Sequence, residues 1–164
     1  MDLGYLKTKI DIKTEHDHYL KKYEYKRKEL KREEIKNIFK GFKEFFKDDG
    51  NFKFKENEHS IAAEYKEHAI KLEMDIYNAI DAPGFELTGT IKTYEKDTYE
   101  FVSTGVCNKD LTLPPPDIDS QERMIYDTRY YKDFLDGNLS YTFQYHITGR
   151  EGTYQNMQLL LLAL

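Results

Sequence analysis

The sequence predicts an α+β fold: a long amphipathic N-terminal helix packed on an antiparallel β-sheet of hairpins, with a second, shorter helix near residues 120–136. Three observations carry this. Leu30, Ile35, Ile38, Phe39, Phe42, Phe45 and Phe46 recur at three- and four-residue spacing, the stripe of a helix with one buried face. Residues 85–107 are rich in Thr, Tyr and Phe and break at Glu95, Lys96 and Asp97, which reads as a hairpin. At 164 residues the chain is the length of one domain, so 1–164 is read as a single unit with one core.

Taken in order, Leu6, Thr8, Ile10 and Ile12 alternate with Lys7, Lys9 and Asp11, which predicts a short strand within 1–13. Thr14 offers an N-cap hydroxyl with Asp17 three residues on, so the long helix is expected over 14–49. Its first half has only Leu20, Tyr23 and Leu30 on the stripe and is expected to project partly into solvent; Asp48, Asp49 and Gly50 end it. Phe52 and Phe54 alternate with lysines as a strand. Residues 61–80 satisfy both periods: Ile61, Tyr65, Ala69, Leu72, Ile76 and Ile80 suit a helix, while Ile61, Ala63, Tyr65 and then Ile70, Leu72, Met74, Ile76 suit strands. Two strands turning at Lys66 to His68 are preferred, making 52–107 a β-meander rather than a helix plus hairpin. Pro114, Pro115 and Pro116 form a stiff connector. Ser120 can cap a helix over 119–136 that ends at Asp136, Gly137 and Asn138. Leu139 to Thr148 is a strand, and Gly149 to Gly152 turns it toward a last segment compatible with strand or helix, taken as the second arm of a C-terminal hairpin over 139–164.

Composition narrows the function classes. Only two valines accompany ten Phe and fourteen Tyr, so rings must supply much of the buried area. Cys107 is the single cysteine, which rules out an intrachain disulfide and a cysteine-cluster zinc site and suits a reducing compartment. Met1 to Lys13 lacks the apolar stretch of a secretory signal, and Leu159 to Leu164 is too short to span a bilayer, so a cytoplasmic location without membrane contact is expected. Residues 1–56 carry sixteen Lys/Arg and twelve Asp/Glu, net +4; residues 57–164 carry nine and eighteen, net −9. The acidic part argues against nucleic acid, whose phosphates need clustered cations, and could attract a basic protein.

Candidate sites are few. His16 and His18 flank Asp17 in a run that could ligate a metal if extended, but on a helix they do not share a face and serve as surface residues. Glu56, Glu58, His59, Glu64 and His68 gather acids and imidazoles, read as a solvated turn rather than a general-base site. Ser103 lies in no nucleophile motif; Cys107 with His146 as base is outweighed by a packed cysteine. No phosphate-cradling glycine loop occurs, and no cofactor is expected. The strongest candidate surface lies on the second helix, where Arg123, Tyr126, Arg129 and Tyr130 bring residue types that dominate protein interfaces. The alternative is that the tyrosines cover the core while the arginines pair with Glu122, Asp127 and Asp133. Leu159 to Leu164 must be covered, by the chain's own core or by the same segment of a second subunit.

These features suggest a non-enzymatic protein-binding or inhibitory module. By analogy, compact acidic proteins without catalytic motifs include inhibitors encoded by phages or mobile elements and immunity-type proteins. The rivals are a small-ligand binder with a cavity between sheet and helix, and a small metal- or Cys/His-dependent hydrolase.

Overall fold

Asp2, not Thr14, begins the first helix: its Oδ1 accepts from the backbone N–H of Gly4 at 2.9 Å and of Tyr5 at 3.3 Å. In the computed structural model, which describes residues 1–164, the elements run α1 (Leu3–Lys47), β1 (Lys53–Glu56), β2 (Ser60–Tyr65), β3 (His68–Glu73), α2 (Ile76–Asp81), β4 (Glu86–Lys92), β5 (Thr98–Cys107), α3 (Ser120–Leu135), β6 (Tyr141–Ile147) and α4 (Met157–Leu162). The fold is α+β, with a six-stranded antiparallel sheet in the order β1-β2-β3-β4-β5-β6. No helix is long and apolar enough to cross a membrane.

The expected strand over 1–13 is therefore helix. Leu6 and Ile12 are half-buried but Thr8 and Ile10 are exposed, so the alternation marks no buried strand face. The stripe that does face inward, Ile12, His16, Tyr19, Tyr23 and Arg27, has helical spacing but is built from polar and aromatic side chains. The expected two strands over 61–80 form, paired from Ser60↔Glu73 to Tyr65↔His68 and closed by Lys66 and Glu67, with Lys66 at φ 55°. Residues from Ile76 then make α2. The C-terminal hairpin is not formed: one antiparallel bridge joins Tyr145 to Tyr154, after which Asn156 caps α4 by accepting from Leu159 N at 2.9 Å.

The chain divides into two contact units, Met1–Arg27 with Cys107–Tyr141, and Lys28–Val106 with Thr142–Leu164. In the first, α1 and α3 lie side by side and parallel, Tyr5 meeting Gln121 near the start of α3 and Lys26 meeting its last carbonyls. Asp119, and not the expected Ser120, caps α3, accepting from Gln121 N at 2.7 Å and Glu122 N at 3.1 Å. Tyr23 stacks on Tyr131 at 4.7 Å and sets its edge against Phe134 at 5.2 Å.

In the second unit the Phe-striped half of α1 covers one face of the sheet. Ile61, Leu72 and Ile91 lie in register across β2, β3 and β4 and are fully buried, as are Ile38 and Phe42 on α1. Each such side chain contributes about 1.5–3 kcal/mol by leaving water. Gly89 is directly paired with Phe101, and a Cβ there would lie 2.5 Å from the Phe101 ring, so the ring occupies the side-chain space that Gly89 leaves. Of the C-terminal leucines, Leu160 and Leu161 are buried with Met157, whereas Leu159 and Leu162 are exposed. Met157 comes within 3.1 Å of where a Cβ on Gly41 would stand, so that glycine lets α4 seat on α1.

Two polar groups are built into this core. Lys31 is fully buried, and its Nζ donates to Ala79 O at 2.7 Å and Ala82 O at 2.8 Å, satisfying carbonyls at the end of α2 where a cation is favoured. Tyr145 OH donates to Glu34 Oε1. Burial raises the Glu34 carboxyl above the usual carboxylate range, against the hydrogen bonds from Tyr145 and Asn37. Lys31→Ala leaves a void and removes the donor that Ala79 O and Ala82 O share, and is expected to lower the unfolding free energy by about 2–4 kcal/mol in denaturant titrations. Because the folded chain holds the Glu34 proton more tightly than the unfolded one, this group favours folding increasingly as pH falls through its raised value, and opposes it above. Glu34→Gln is expected to gain stability relative to the parent at neutral pH. That difference should close as the pH is lowered into the carboxylate range, as followed by thermal melts.

Candidate functional site

Strand parity puts a second row of side chains on the face of the sheet opposite α1. Ser60, Glu73, Thr90 and Glu100 are successive partners across β2, β3, β4 and β5, one step out of register with the buried row. Over them opens a hollow of about 1080 Å³, lined also by Glu58, His59, Lys71, Asp75, Thr88 and Thr148. Its rim is fixed by Asn57, whose Oδ1 accepts from His59 N and Ser60 Oγ, each at 3.0 Å, and whose N–H donates to Ser60 O at 2.9 Å. Met74 N donates to His59 O at 2.8 Å, tying the rim to the end of β3. On the far side Thr148 N donates to Glu100 O at 2.9 Å.

The hollow is acidic. Glu58, Glu73, Asp75 and Glu100 face it against Lys71 and His59. Glu73 takes Lys71 Nζ at 3.0 Å and Lys92 Nζ at 3.7 Å, and the Lys71 hydrogen bond above all holds its carboxyl below the usual range. Glu58 accepts from Tyr77 OH, and Glu100 has no ion-pair partner. Around these acids stand the hydroxyls of Ser60, Thr88, Thr90 and Thr148. The only hydrogen bond among them is from Ser60 to Asn57, so no hydroxyl is joined to a base. The arrangement suits holding ammonium or guanidinium groups.

Of the acids and imidazoles in residues 56–68, Glu58 and His59 line this hollow. Glu56 pairs with Lys43 at 3.5 Å and Glu64 with Lys55 at 3.3 Å, while His68 meets the edge of Tyr94. The hollow was hidden in the sequence because its other acids, Glu73, Asp75 and Glu100, come from β3, the cap of α2 and β5; alternation within each strand was the one signal that could have grouped Glu73 with Glu100.

The helix candidates lie in the other unit. Tyr130 OH is 2.6 Å from Tyr141 OH and 3.4 Å from Tyr23 OH, a chain of phenols between α1, α3 and β6. Burial first, then the Tyr141 hydroxyl, pushes the Tyr130 phenol up, and burial pushes Tyr131 up to about 12. Tyr126 is half-buried; Arg123 and Arg129 are exposed, and neither forms the expected ion pair with Glu122, Asp127 or Asp133. Arg129 borders a small recess of about 190 Å³ with Ile12, Glu15, Ile125 and Lys132, where Lys132 pairs with Glu15.

His16 rests against the Tyr131 ring at 5.7 Å with Nδ1 3.1 Å from Asp17 Oδ1, and His18 sets its edge on Tyr19, so the helix gives each histidine a different neighbour. No group of three or more His, Cys, Asp or Glu side chains is assembled to hold a metal. Cys107 Sγ donates to Asn108 Oδ1 at 3.6 Å; Ser103 is fully buried and its hydroxyl makes no hydrogen bond; His146 is half-buried on β6.

No protein-family model, curated protein or solved structure matches this chain. Tyr130→Phe removes the central phenol of the chain and is expected to cost about 1 kcal/mol of stability. Burial holds the Tyr141 phenol up while its hydrogen bond with Tyr130 lowers it, so in a spectrophotometric titration the variant should make Tyr141 ionise at higher pH; an unchanged titration curve apart from one lost phenol would contradict the hydroxyl chain.

Proposed function

We propose that this chain is a non-enzymatic binding module that docks on a basic segment of another protein through the open face of its sheet. The observation that carries it is the hollow: broad, shallow and hydroxyl-lined, with four carboxylates against one lysine and one histidine. It belongs to the part of the chain, residues 57–164, that carries the net charge of −9. Such a surface accelerates encounter with a cationic partner and sets its orientation. Guanidinium groups can be held bidentately by Glu58 and Glu100, and the threonine hydroxyls can take backbone groups. Ile38, Phe42, Ile61, Leu72 and Ile91 are buried between α1 and the sheet, and the recess of about 470 Å³ beside them, between α1 and the β1–β2 turn, brings Lys36, Lys40 and Lys43 rather than an excess of acids, so the outer face is the one that suits a basic partner. Covering a basic working surface of a partner is how an inhibitor or an immunity-type protein acts, and the proposal extends to that role.

A pull-down with the immobilised chain is expected to return one basic protein at stoichiometric yield, released as salt is raised. Glu58→Lys and Glu100→Lys should each weaken capture by roughly tenfold, whereas Glu95→Lys in the β4–β5 turn should leave it unchanged. Capture indifferent to both face reversals, or no partner at all, would overturn the reading.

A further inference from the structure

The recess beside the apolar core of the second unit opens between α1, the turn joining β1 to β2 and the start of α2, with a volume of about 470 Å³. Its apolar side chains come from two helices, Ile35 and Phe39 on α1 and Ile76 on α2. Phe39 is the one ring of the α1 stripe without an aromatic neighbour. Phe42 and Phe45 both meet Phe46, which in turn meets Phe52, whereas Phe39 touches no other ring and is only half-buried. An aromatic face left open beside two isoleucines forfeits burial that an apolar ligand body restores.

The rim is cationic on the α1 side. Lys36, Lys40 and Lys43 recur at four- and three-residue spacing, so they line the recess along one face of α1 together with Phe39. Glu56, Asn57 and Glu58 stand on the side of the turn, and both acids are engaged: Glu56 pairs with Lys43 at 3.5 Å, and Glu58 accepts from Tyr77 OH. Lys36 and Lys40 reach only acids of their own helix, Glu33 at 3.4 Å and Glu44 at 3.8 Å, and their side chains are 75% and 73% exposed. Exposed pairs of this kind are weak, so an anionic group at the mouth of the recess draws both ammonium groups from them.

We infer that this recess binds a small amphiphilic anion, a carboxylate on an unbranched aliphatic body, of which a free medium-chain fatty acid is the simplest case. The carboxylate lies against Lys36 and Lys40, on the side away from Glu58, and the chain runs over Phe39 and Ile76. Size favours a small molecule over a protein: the recess falls within the range of small-ligand sites, whereas a stable protein contact needs about 800 Å² on each partner. The charge at the α1 rim is opposite to that of the acidic hollow, so the two sites take ligands of opposite sign.

Isothermal titration of the full chain with sodium decanoate at low salt is expected to show one site, each added CH₂ from octanoate to decanoate strengthening binding by up to about fourfold. Lys36→Glu with Lys40→Glu should weaken it by about tenfold or more. Lys21→Glu with Lys22→Glu, on the same helix but outside the recess, should leave it unchanged. Phe39→Ala should flatten the dependence on chain length, and amide shifts in nuclear magnetic resonance spectra should concentrate at residues 35–43, 56–58 and 76. Decylamine, the same chain with a cationic head, should not bind there. No saturable binding, equal binding of decylamine, indifference to the reversal of Lys36 and Lys40, or capture only by phosphatidylglycerol vesicles would each overturn the proposal.

Discussion

The fully buried row of Ile61, Leu72 and Ile91, covered by the Phe-striped half of α1, is the constraint on which the sheet and its open face both depend. Because side chains alternate across a strand, fixing this row inward fixes Ser60, Glu73, Thr90 and Glu100 outward. A slip of one residue in β2, β3 or β4 would turn Glu64, Glu73 or Glu86 toward the buried face and turn an isoleucine or leucine to water. The acidic hollow is thus a by-product of core register, and the stability of the apolar side is what holds four carboxylates from separate elements around one space.

The polar groups inside the core have the same dependence. Lys31 and Glu34 lie on the α1 face that points inward, and each is tolerated because a partner reaches it: the carbonyls of Ala79 and Ala82 for one, the Tyr145 phenol for the other. Lys31 joins α1 to the end of α2, and Tyr145 joins it to the edge strand that also takes the bridge from Tyr154. The core is therefore pinned in orientation as well as packed.

Much of this was legible from the residues. The stripe from Leu30 to Phe46, the two strands expected within 61–80, the hairpin after Phe85 and a helix near 120–136 follow from period and turn chemistry, and all form, although the strands end at Glu73 and Asp119 rather than Ser120 caps the helix. The N-terminal segment misled because Leu6, Ile10 and Ile12 share a two-residue period by coincidence, while the side chains that face α3 are His16, Tyr19 and Tyr23, which hydropathy does not mark. The final leucines gave no periodic signal over six residues, and only Asn156 as a cap separates helix from strand. Arg123, Tyr126, Arg129 and Tyr130 share a helix in the sequence but divide in the fold: Tyr130 joins the phenol chain, and the arginines stay exposed. The charge imbalance was visible at once, whereas its concentration over one hollow required the strand register.

Hydrogen exchange read by mass spectrometry tests most directly the claim that register in the second unit rests on one buried row. Amides of β2, β3 and β4 should exchange together, with the slowest rates in the chain, and Leu72→Ala should speed all three strands alike while the α3 amides change little. Strands that lose protection one at a time in Leu72→Ala, or that exchange as fast as α3 in the parent chain, would contradict it.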